Sequence, residues 1–563
     1  MYHIRKKLQT DVLVIGSGLA GIKVSKELAD QNLNVLMVTK MKVASGSSFY
    51  PLKASLGTQV TKDEPDQQVF LNDIADLSRG MHREDLAEVY VKEIPERVKE
   101  YQEIGVNAKK LAGERKACFA DHERDIYLLS DWDQIRENVR SIFSQYEHLH
   151  VLEKTVVVTL LKKQNRIAGA LLLDENNDMI LVECKAAIMA TGGFGSIYKH
   201  NLNPNDVDGS GHILALDAGA QLVNMEFIQF IPGITTPRYK TLFGEHTLMY
   251  CEDIVDEAGN SLLADVLPNE VSKQDCLEIR STHGPFTHSL ESKYFDIAMM
   301  KKILVSENED GFKLLYQPEL YENEEEFYTV YLNWLKEKKI HLVEDEIRIA
   351  PFAHASNGGV YIDTEGRTGI DGLYAIGELS CNIEGANRLG GNSTGACMVF
   401  GKRAAAHCGE YVHDVERLEI SEAGAIQYIG SLFGQTNQKE ALVEDIQTQA
   451  QQAIERIREI MWYHGNVVRS EEQLTGALAE IQQMDASLNL AMLFAQRATR
   501  KLAVKLRNFL QLSQILLQAM IERRESRGAH YREDYPNENP EYNKRLFVTS
   551  DQEKGIQFAF LAK

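Results

Sequence analysis

The stretch Asp11-Val12-Leu13-Val14-Ile15-Gly16-Ser17-Gly18-Leu19-Ala20-Gly21 is an apolar strand running directly into a G-x-G-x-x-G turn. A second apolar strand ending in glycine, Gly372-Leu373-Tyr374-Ala375-Ile376-Gly377-Glu378, lies far downstream. The turn demands glycines because the backbone must bend sharply, approach a pyrophosphate closely and then open a helix whose first amides face the phosphates. A glycine-rich turn is also ordinary punctuation after a strand. The following residues decide between the two. A helical stretch from about Gly21 to Ala29 leads to Val35-Leu36-Met37-Val38, which completes a βαβ unit of the expected ~30 residues. At the end of that strand stands Thr39-Lys40 rather than the acidic residue that many nicotinamide binders place on the ribose.

The whole chain has 563 residues, too many for one ordinary core, and is expected to form two to four domains. Its formal charge of -21 argues against nucleic acid or an anionic membrane surface as the main partner. No run approaches the ~18 consecutive apolar residues of a membrane span. The start, Met1-Tyr2-His3-Ile4-Arg5-Lys6-Lys7, carries charge without an apolar stretch behind it, so a cytoplasmic protein is expected. Seven cysteines (Cys118, Cys184, Cys251, Cys276, Cys381, Cys397, Cys408) are scattered with no C-x-x-C pair. That spacing gives neither a disulfide framework nor a zinc or iron–sulfur signature, and any such cluster would belong to another polypeptide.

Three runs between Thr155 and Val182, separated by Lys162-Lys163-Gln164-Asn165 and Asn176-Asn177-Asp178, read as a β-meander. It ends in a buried strand that breaks into Ala190-Thr191-Gly192-Gly193. Residues 226–345 have a mixed pattern, with the acidic run Glu322 to Glu326 expected as a solvated surface. Because they interrupt two halves of a nucleotide-binding domain, they read as an inserted domain able to close over a site. From about Ala423 to Arg527 the pattern is helical, and the tail from Tyr535 to Lys563 is polar and expected to wrap the body. No internal repeat has a fixed period. Asn392-Ser393-Thr394 opens a helix through about Ala406, whose N-terminus would stabilise negative charge on a ligand set before it.

Several spaced segments coincide with one family. They are Gly16 to Gly21, Val38-Thr39-Lys40, Gly46-Ser47-Ser48-Phe49-Tyr50, Ala190-Thr191-Gly192-Gly193, Asn203-Pro204 with Gly209-Ser210-Gly211, Ala218-Gly219-Ala220 leading to Met225 to Phe230, His354 with Gly358-Gly359, Gly377-Glu378, Gly385-Ala386-Asn387-Arg388-Leu389, and Arg524 to His530. In these motifs the chain resembles the flavoprotein subunit of succinate dehydrogenase and fumarate reductase, with L-aspartate oxidase closest in layout. The order is the family's over nearly the whole chain. The resemblance implies an α/β fold: a Rossmann-like FAD-binding domain of the glutathione-reductase type (1–225 and 346–422), an inserted α+β capping domain (226–345), a C-terminal helical domain (423–534) and a tail (535–563).

It further implies FAD, held by Gly16, Gly18, Leu19, Ala20, Gly21, Thr39, Lys40, Ser47, Ser48, Val157, Ala190, Thr191, Gly192, Gly193, Glu378, Asn392, Ser393 and Thr394. Ser47 stands where members of the membrane complexes carry a histidine bonded to the flavin, so noncovalent FAD is expected. His354 and Arg388 match two of the family's dicarboxylate-binding positions, and an arginine suits a carboxylate because its planar fork makes two parallel charge-assisted bonds. Other positions depart. The family's Gln-Phe-His-Pro-Thr becomes Gln229-Phe230-Ile231-Pro232-Gly233, its proton-transferring Arg-Asp pair aligns with Phe295-Asp296, and its Gln-Gly-Gly becomes Leu52-Lys53-Ala54. His283 or His288, just before the altered cap motif, would offer a replacement proton shuttle, against the plain alternative that both are ordinary exposed or core histidines.

Altered substrate groups beside complete cofactor motifs predict an FAD-dependent oxidoreductase that moves hydride between flavin N5 and a small carboxylate-bearing or amino-acid-like substrate, not succinate or fumarate. A second reading makes it the flavin-bearing subunit of an electron-transfer assembly, similar to adenylylsulfate reductase, with an iron–sulfur, ferredoxin-like partner. A third, a flavoprotein that binds or senses without catalysis, fits the complete cofactor framework least. Neither nucleic acid nor a direct membrane span is expected, and self-assembly is left open.

Overall fold

The computed structural model describes residues 2–49, 57–380, 383–434, 443–551 and 553–562. Tyr50, Leu52-Lys53-Ala54 and Cys381, singled out above, lie outside the described residues.

The central layer is a five-stranded sheet in the order Leu373–Ala375, Ala186–Met189, Val12–Ile15, Val35–Val38, Leu149–Leu152, with every pairing parallel. Its strands are short unbroken apolar runs because both faces are covered; Val12, Leu13 and Val14 are fully buried. The Leu19–Asp30 and Asn392–Asp414 helices pack on each other against it. The two separated halves of the sequence therefore meet in one sheet, with the late strand Leu373–Ala375 beside Ala186–Met189. The meander forms as expected, from Val156–Lys163, Arg166–Leu173 and Met179–Glu183. Its first turn has Gln164 and Asn165 both at positive φ (54° and 60°), the geometry of a tight two-residue hairpin.

The insertion builds a second sheet in the order Thr241–Leu242, Ile228–Thr236, Arg348–Ser356, Phe312–Tyr316, Cys251–Val255, with the Lys273–Ser281, Lys293–Ser306 and Glu326–Glu337 helices around it. Its central strand, Arg348–Ser356, lies beyond residue 345, so the cap's sheet draws on the segment that returns to the cofactor domain. The register between Ile228–Thr236 and Arg348–Ser356 pairs Gln229 with Ala355 and Phe230 with Ala353. His354 is the extra residue of this β-bulge, a device that re-aims a side chain.

The C-terminal helices include Val443–His464, Glu471–Ser487 and the largely buried Arg500–Glu522. The tail is more than a polar wrap. Consecutive buried residues Leu546, Phe547 and Val548 anchor a hairpin, Arg545–Asp551 with Gly555–Leu561, that extends a small sheet through Leu222–Val223 and Gly359–Val360. Among the described residues, no helix is long and apolar enough to cross a membrane.

Candidate functional site

The turn after Val12–Ile15 floors an open cleft. Of the residues expected to hold a dinucleotide, Gly16, Gly18, Leu19, Ala20, Thr39, Lys40, Ser47, Ser48, Val157, Ala190, Thr191, Gly192 and Glu378 line it. Gly16 sits at φ +112°, and a Cβ there would lie 2.2 Å from the Ala190 carbonyl oxygen. Gly21 and Gly193 stand behind the wall: a Cβ on the first would meet the Gly16 carbonyl oxygen at 2.1 Å, and on the second Glu378 Oε1 at 2.4 Å.

The helix start at Gly18 has no side-chain cap, which leaves its first amides for an anion. Thr191 Oγ1 is buried on the same wall without a hydrogen-bond partner among the described residues. The donor set suits a phosphate-bearing dinucleotide, and FAD fits it. Ser17 Oγ donates to Thr39 Oγ1 at 2.9 Å, and Lys40 Nζ reaches Asp208 at 2.7 Å and Ser210 Oγ at 2.6 Å, tying two walls together. Ser47 Oγ accepts from Asn203 Nδ2 at 2.9 Å. Glu378 Oε1 accepts from the backbone and hydroxyl of Ser356, at 3.0 and 3.2 Å.

At the start of the Asn392–Asp414 helix, Asn392 and Thr394 are buried, and Thr394 Oγ1 donates to the Gly57 carbonyl at 2.8 Å. Ser393 instead lines a second, small cavity that shares Gly377 and Glu378 with the cofactor cleft. Buried Glu384 lines it too. Burial, with Glu378 nearby, pushes the Glu384 carboxyl up to about 8 against the opposing pull of Arg388.

Arg388 is built into a small network beside this cavity. Its Nε donates to Gln229 Oε1 at 3.0 Å, one terminal nitrogen to Ser393 Oγ at 2.7 Å, and the other to His354 Nε2 at 3.1 Å. A guanidinium only donates, so His354 Nε2 is the acceptor and its ring proton sits on Nδ1. Gln229 is oriented in turn by Asn387 Oδ1 at 2.8 Å. Among the described residues three of the five N–H groups are used, which leaves one on each terminal nitrogen, the pair that a carboxylate takes. Arg388 and His354 are both half-buried, as groups facing a cleft must be.

Gln229, Ile231 and Gly233 alternate onto one strand face. Ile231 pairs with Phe352 across the ladder, and the Phe352 ring occupies the space beside Gly233, 2.5 Å from where a Cβ would stand. Phe295 is fully buried. Asp296 keeps an arginine partner, but from another helix: Arg280 binds it through Nε at 2.8 Å and a terminal nitrogen at 3.2 Å. The same guanidinium donates to the carbonyls of His283 and Gly284, and it is wholly buried. Arg280 is therefore a clamp on the 283–285 turn.

The two expected shuttle histidines have other contacts. His283 is buried with Nδ1 on the Pro285 carbonyl and Nε2 on Ser292 Oγ, both at 2.8 Å, and its ring stacks on Phe119 at 4.8 Å. Burial, aided by Arg280, pushes it down to about 3, so it stays neutral. His288 stacks on Tyr531, and its amide donates to the Gly528 carbonyl at 2.8 Å, which joins the cap to the C-terminal segment.

Two residues that no sequence motif marked complete this face. The Cys118 thiol accepts the Gly284 amide at 3.3 Å, while the Cys118 carbonyl accepts the Gly390 amide at 2.9 Å, so the 111–124 loop bridges cap and base. Glu245 lies against Gly284, its carboxyl 3.6–3.7 Å from where a Cβ would stand, and burial pushes that carboxyl up. A lone cysteine and a lone glutamate in loops carry no periodic or spacing signal that could have found them.

The family model described as FAD binding domain matches residues 11–394, and the model for the fumarate reductase flavoprotein C-terminus matches 454–560. One of the subunits of the fumarate reductase (CoM/CoB) of Methanothermobacter marburgensis is 25% identical, the match covering 97% of this chain and 98% of that one. L-Aspartate oxidase of Yersinia pestis is 26% identical, with 94% and 97% covered. Among solved structures, the Mycobacterium smegmatis Sdh1 complex in the apo form contains a chain with the same fold (TM-score 0.79, 23% identity, 99% of this chain and 94% of that one). The chain thus belongs to the succinate dehydrogenase and fumarate reductase flavoprotein family and is an FAD-dependent oxidoreductase.

Proposed function

We propose that the protein holds FAD noncovalently and oxidises or reduces a small substrate bearing a carboxylate, amino-acid-like substrates included, and that succinate and fumarate are not its dedicated substrates. The observation that carries this reading is the oriented Arg388 guanidinium, with one N–H left on each terminal nitrogen among the described residues, bonded to Ser393, which lines a cavity sharing Gly377 and Glu378 with the cofactor cleft. Bound FAD supplies hydride transfer at flavin N5. Arg388 grips the carboxylate in two parallel bonds, His354 closes one side of it, and Gln229 with Ser393 prevents the guanidinium from turning away. The cap and the 111–124 loop cover the cleft and keep water out. Ser47, hydrogen-bonded to Asn203, offers a hydroxyl rather than an imidazole to the flavin side of the cleft, which supports noncovalent binding.

Anaerobic reduction of the bound flavin by a panel of amino acids, mono- and dicarboxylates, sulfur compounds and thiols tests the reading through the visible absorbance. Bleaching by a carboxylate other than succinate supports it. Rapid bleaching by succinate overturns it.

The second reading, a flavin-bearing subunit that passes electrons to an iron–sulfur partner, draws on the Methanothermobacter relative, itself one chain of a larger enzyme, and on the lack of any C-x-x-C pair in this sequence. Co-purification of a brown, iron-containing chain with the protein from its native cells supports it, and a yellow protein that runs alone does not.

A further inference from the structure

The segment Arg527-Gly528-Ala529-His530 closes into a tight two-residue turn, in which the Arg527 amide donates to the His530 carbonyl at 2.7 Å and the His530 amide to the Arg527 carbonyl at 2.9 Å. The bond between Gly528 and Ala529 forms its tip. The carbonyl of that one peptide unit accepts the His288 amide of the cap at 2.8 Å, and its N–H donates to the Ala386 carbonyl of the base, also at 2.8 Å. A single rigid plane therefore touches both sides. Gly528 sits at φ +53°, and a Cβ there would lie 2.5 Å from the Ala386 carbonyl oxygen.

Buried charges hold this turn in shape. The Arg527 guanidinium binds Glu525 through two nitrogens, at 2.8 and 2.9 Å, and donates to the Arg79 carbonyl at 3.0 Å. His530 is wholly buried, with Nε2 on the Arg523 carbonyl at 3.0 Å and Nδ1 on the Arg469 guanidinium at 2.5 Å. Arg523 in turn binds Glu226 and Glu525, and all three are wholly buried. Buried ion pairs add little net stability, because desolvation cancels most of their attraction; what they do is fix one arrangement. Here they fix the tip. On the base side, the Ala386 amide is held by the Ser78 carbonyl at 2.9 Å, so Ala386 is pinned through both of its backbone groups. Asn387 follows directly and orients Gln229, which binds Arg388.

We infer that the 527–530 turn is a positioning element of the substrate site: its tip peptide seats the Ala386–Arg388 segment and docks the cap on the same unit, so that Arg388 and the cap are set together by the C-terminal domain. The link from Ala386 to substrate rests on the assignment of Arg388 as the carboxylate site. A cap that shifts pulls on the Gly528 carbonyl, and the same plane carries the shift to Ala386, two residues before Arg388. The two hydrogen bonds also polarise one another through the shared peptide. Glycine is required at 528 because a Cβ would drive the Ala386 carbonyl out of its place. A gripping group misplaced in this way loses an order of magnitude or more in effect.

Hydrogen exchange of the full-length FAD-loaded protein tests the coupling, read on peptides that cover 286–290 of the cap and 385–389 of the base. Gly528→Ala is expected to speed exchange about tenfold in both segments, while the central sheet and the FAD content stay as in the parent. Faster exchange throughout the chain marks a merely structural turn and overturns the inference. Gly528→Asn separates the two reasons for glycine: asparagine tolerates positive φ but carries a Cβ, so it is expected to behave as alanine does, and rescue by asparagine counts against the close contact with Ala386. His288→Ala removes the ring stacked on Tyr531 and leaves the turn itself untouched, so it serves even where the turn variants fail to fold. It is expected to loosen both segments by a smaller factor, and loosening of the cap segment alone overturns the coupling. Acetate, the smallest carboxylate probe, is then titrated while the visible spectrum of the oxidised flavin is followed. Binding about tenfold weaker in Gly528→Ala supports the link to Arg388, and equal binding breaks it. A parent protein that binds no acetate, with both segments still loosened together by the variants, takes down the assignment of Arg388 and leaves the coupling of cap and base standing.

Discussion

The cofactor cleft and the side-chain network around Arg388 are made in opposite ways. The first is shaped by backbone: Gly16 and Gly21 leave no room for a Cβ, and an uncapped helix start presents its amides. The second is built of side chains from segments distant in sequence, with Gln229, His354 and Ser393 holding Arg388. A backbone site tolerates almost no change. A side-chain site can be rebuilt residue by residue while the cofactor stays in place.

The comparison is broken or sharpened by perturbing each side alone. The largest effect is expected from Arg280→Ala, which strands Asp296 as a buried carboxylate: about 3–5 kcal/mol of stability should be lost in denaturant titration. FAD content per folded molecule should stay the same, and a protein that loses its flavin instead would show that the cap clamp also supports the cofactor cleft. Gly16→Ala forces a Cβ into the Ala190 carbonyl from a positive-φ position, and about 3 kcal/mol of FAD binding should disappear, read by fluorescence titration of the apoprotein. An Ala variant that still binds FAD tightly would end the argument that backbone shape holds the cofactor.

An acid-side effect follows from His283, which burial and Arg280 push down to about 3. The unfolded chain takes up this proton near pH 6.5 while the folded one stays neutral. The unfolded state therefore binds more protons between about pH 6.5 and 3, and the stability present above 6.5 is lost as pH falls through that window. Between pH 7.5 and 5 the loss from this one group is about 2 kcal/mol. Urea unfolding of His283→Gln at the two pH values should show a smaller drop than the parent, and equal drops would mean that His283 does not report on the buried state. The smallest expected effect is that of Arg388→Lys, which keeps the charge and removes the fork: carboxylate binding should weaken about tenfold, or ~1.4 kcal/mol, with FAD content unchanged.

Much of the fold was readable along the chain. The Val12–Ile15 strand, its turn and the three meander strands lie within a residue or two of their expected places, because each is dictated by local pattern and by glycine at special backbone positions. The terminal hairpin was not, since its anchor, Leu546-Phe547-Val548, is short and its partner Leu222–Val223 is far away in sequence. The retained partner of Asp296 was also hidden. Phe295 occupies the expected arginine position, while Arg280 arrives from a separate helix.

By itself the sequence determined that a dinucleotide would be held in a split parallel sheet, because the pyrophosphate's demand for glycine and for a helix start is met within one local stretch. Only the tertiary structure decided what stands opposite that cofactor. The bulge at His354, the saturation of Arg280 and the hold of Gln229 and His354 on Arg388 depend on which distant segments come together, and packing across domains leaves no periodic trace in the chain.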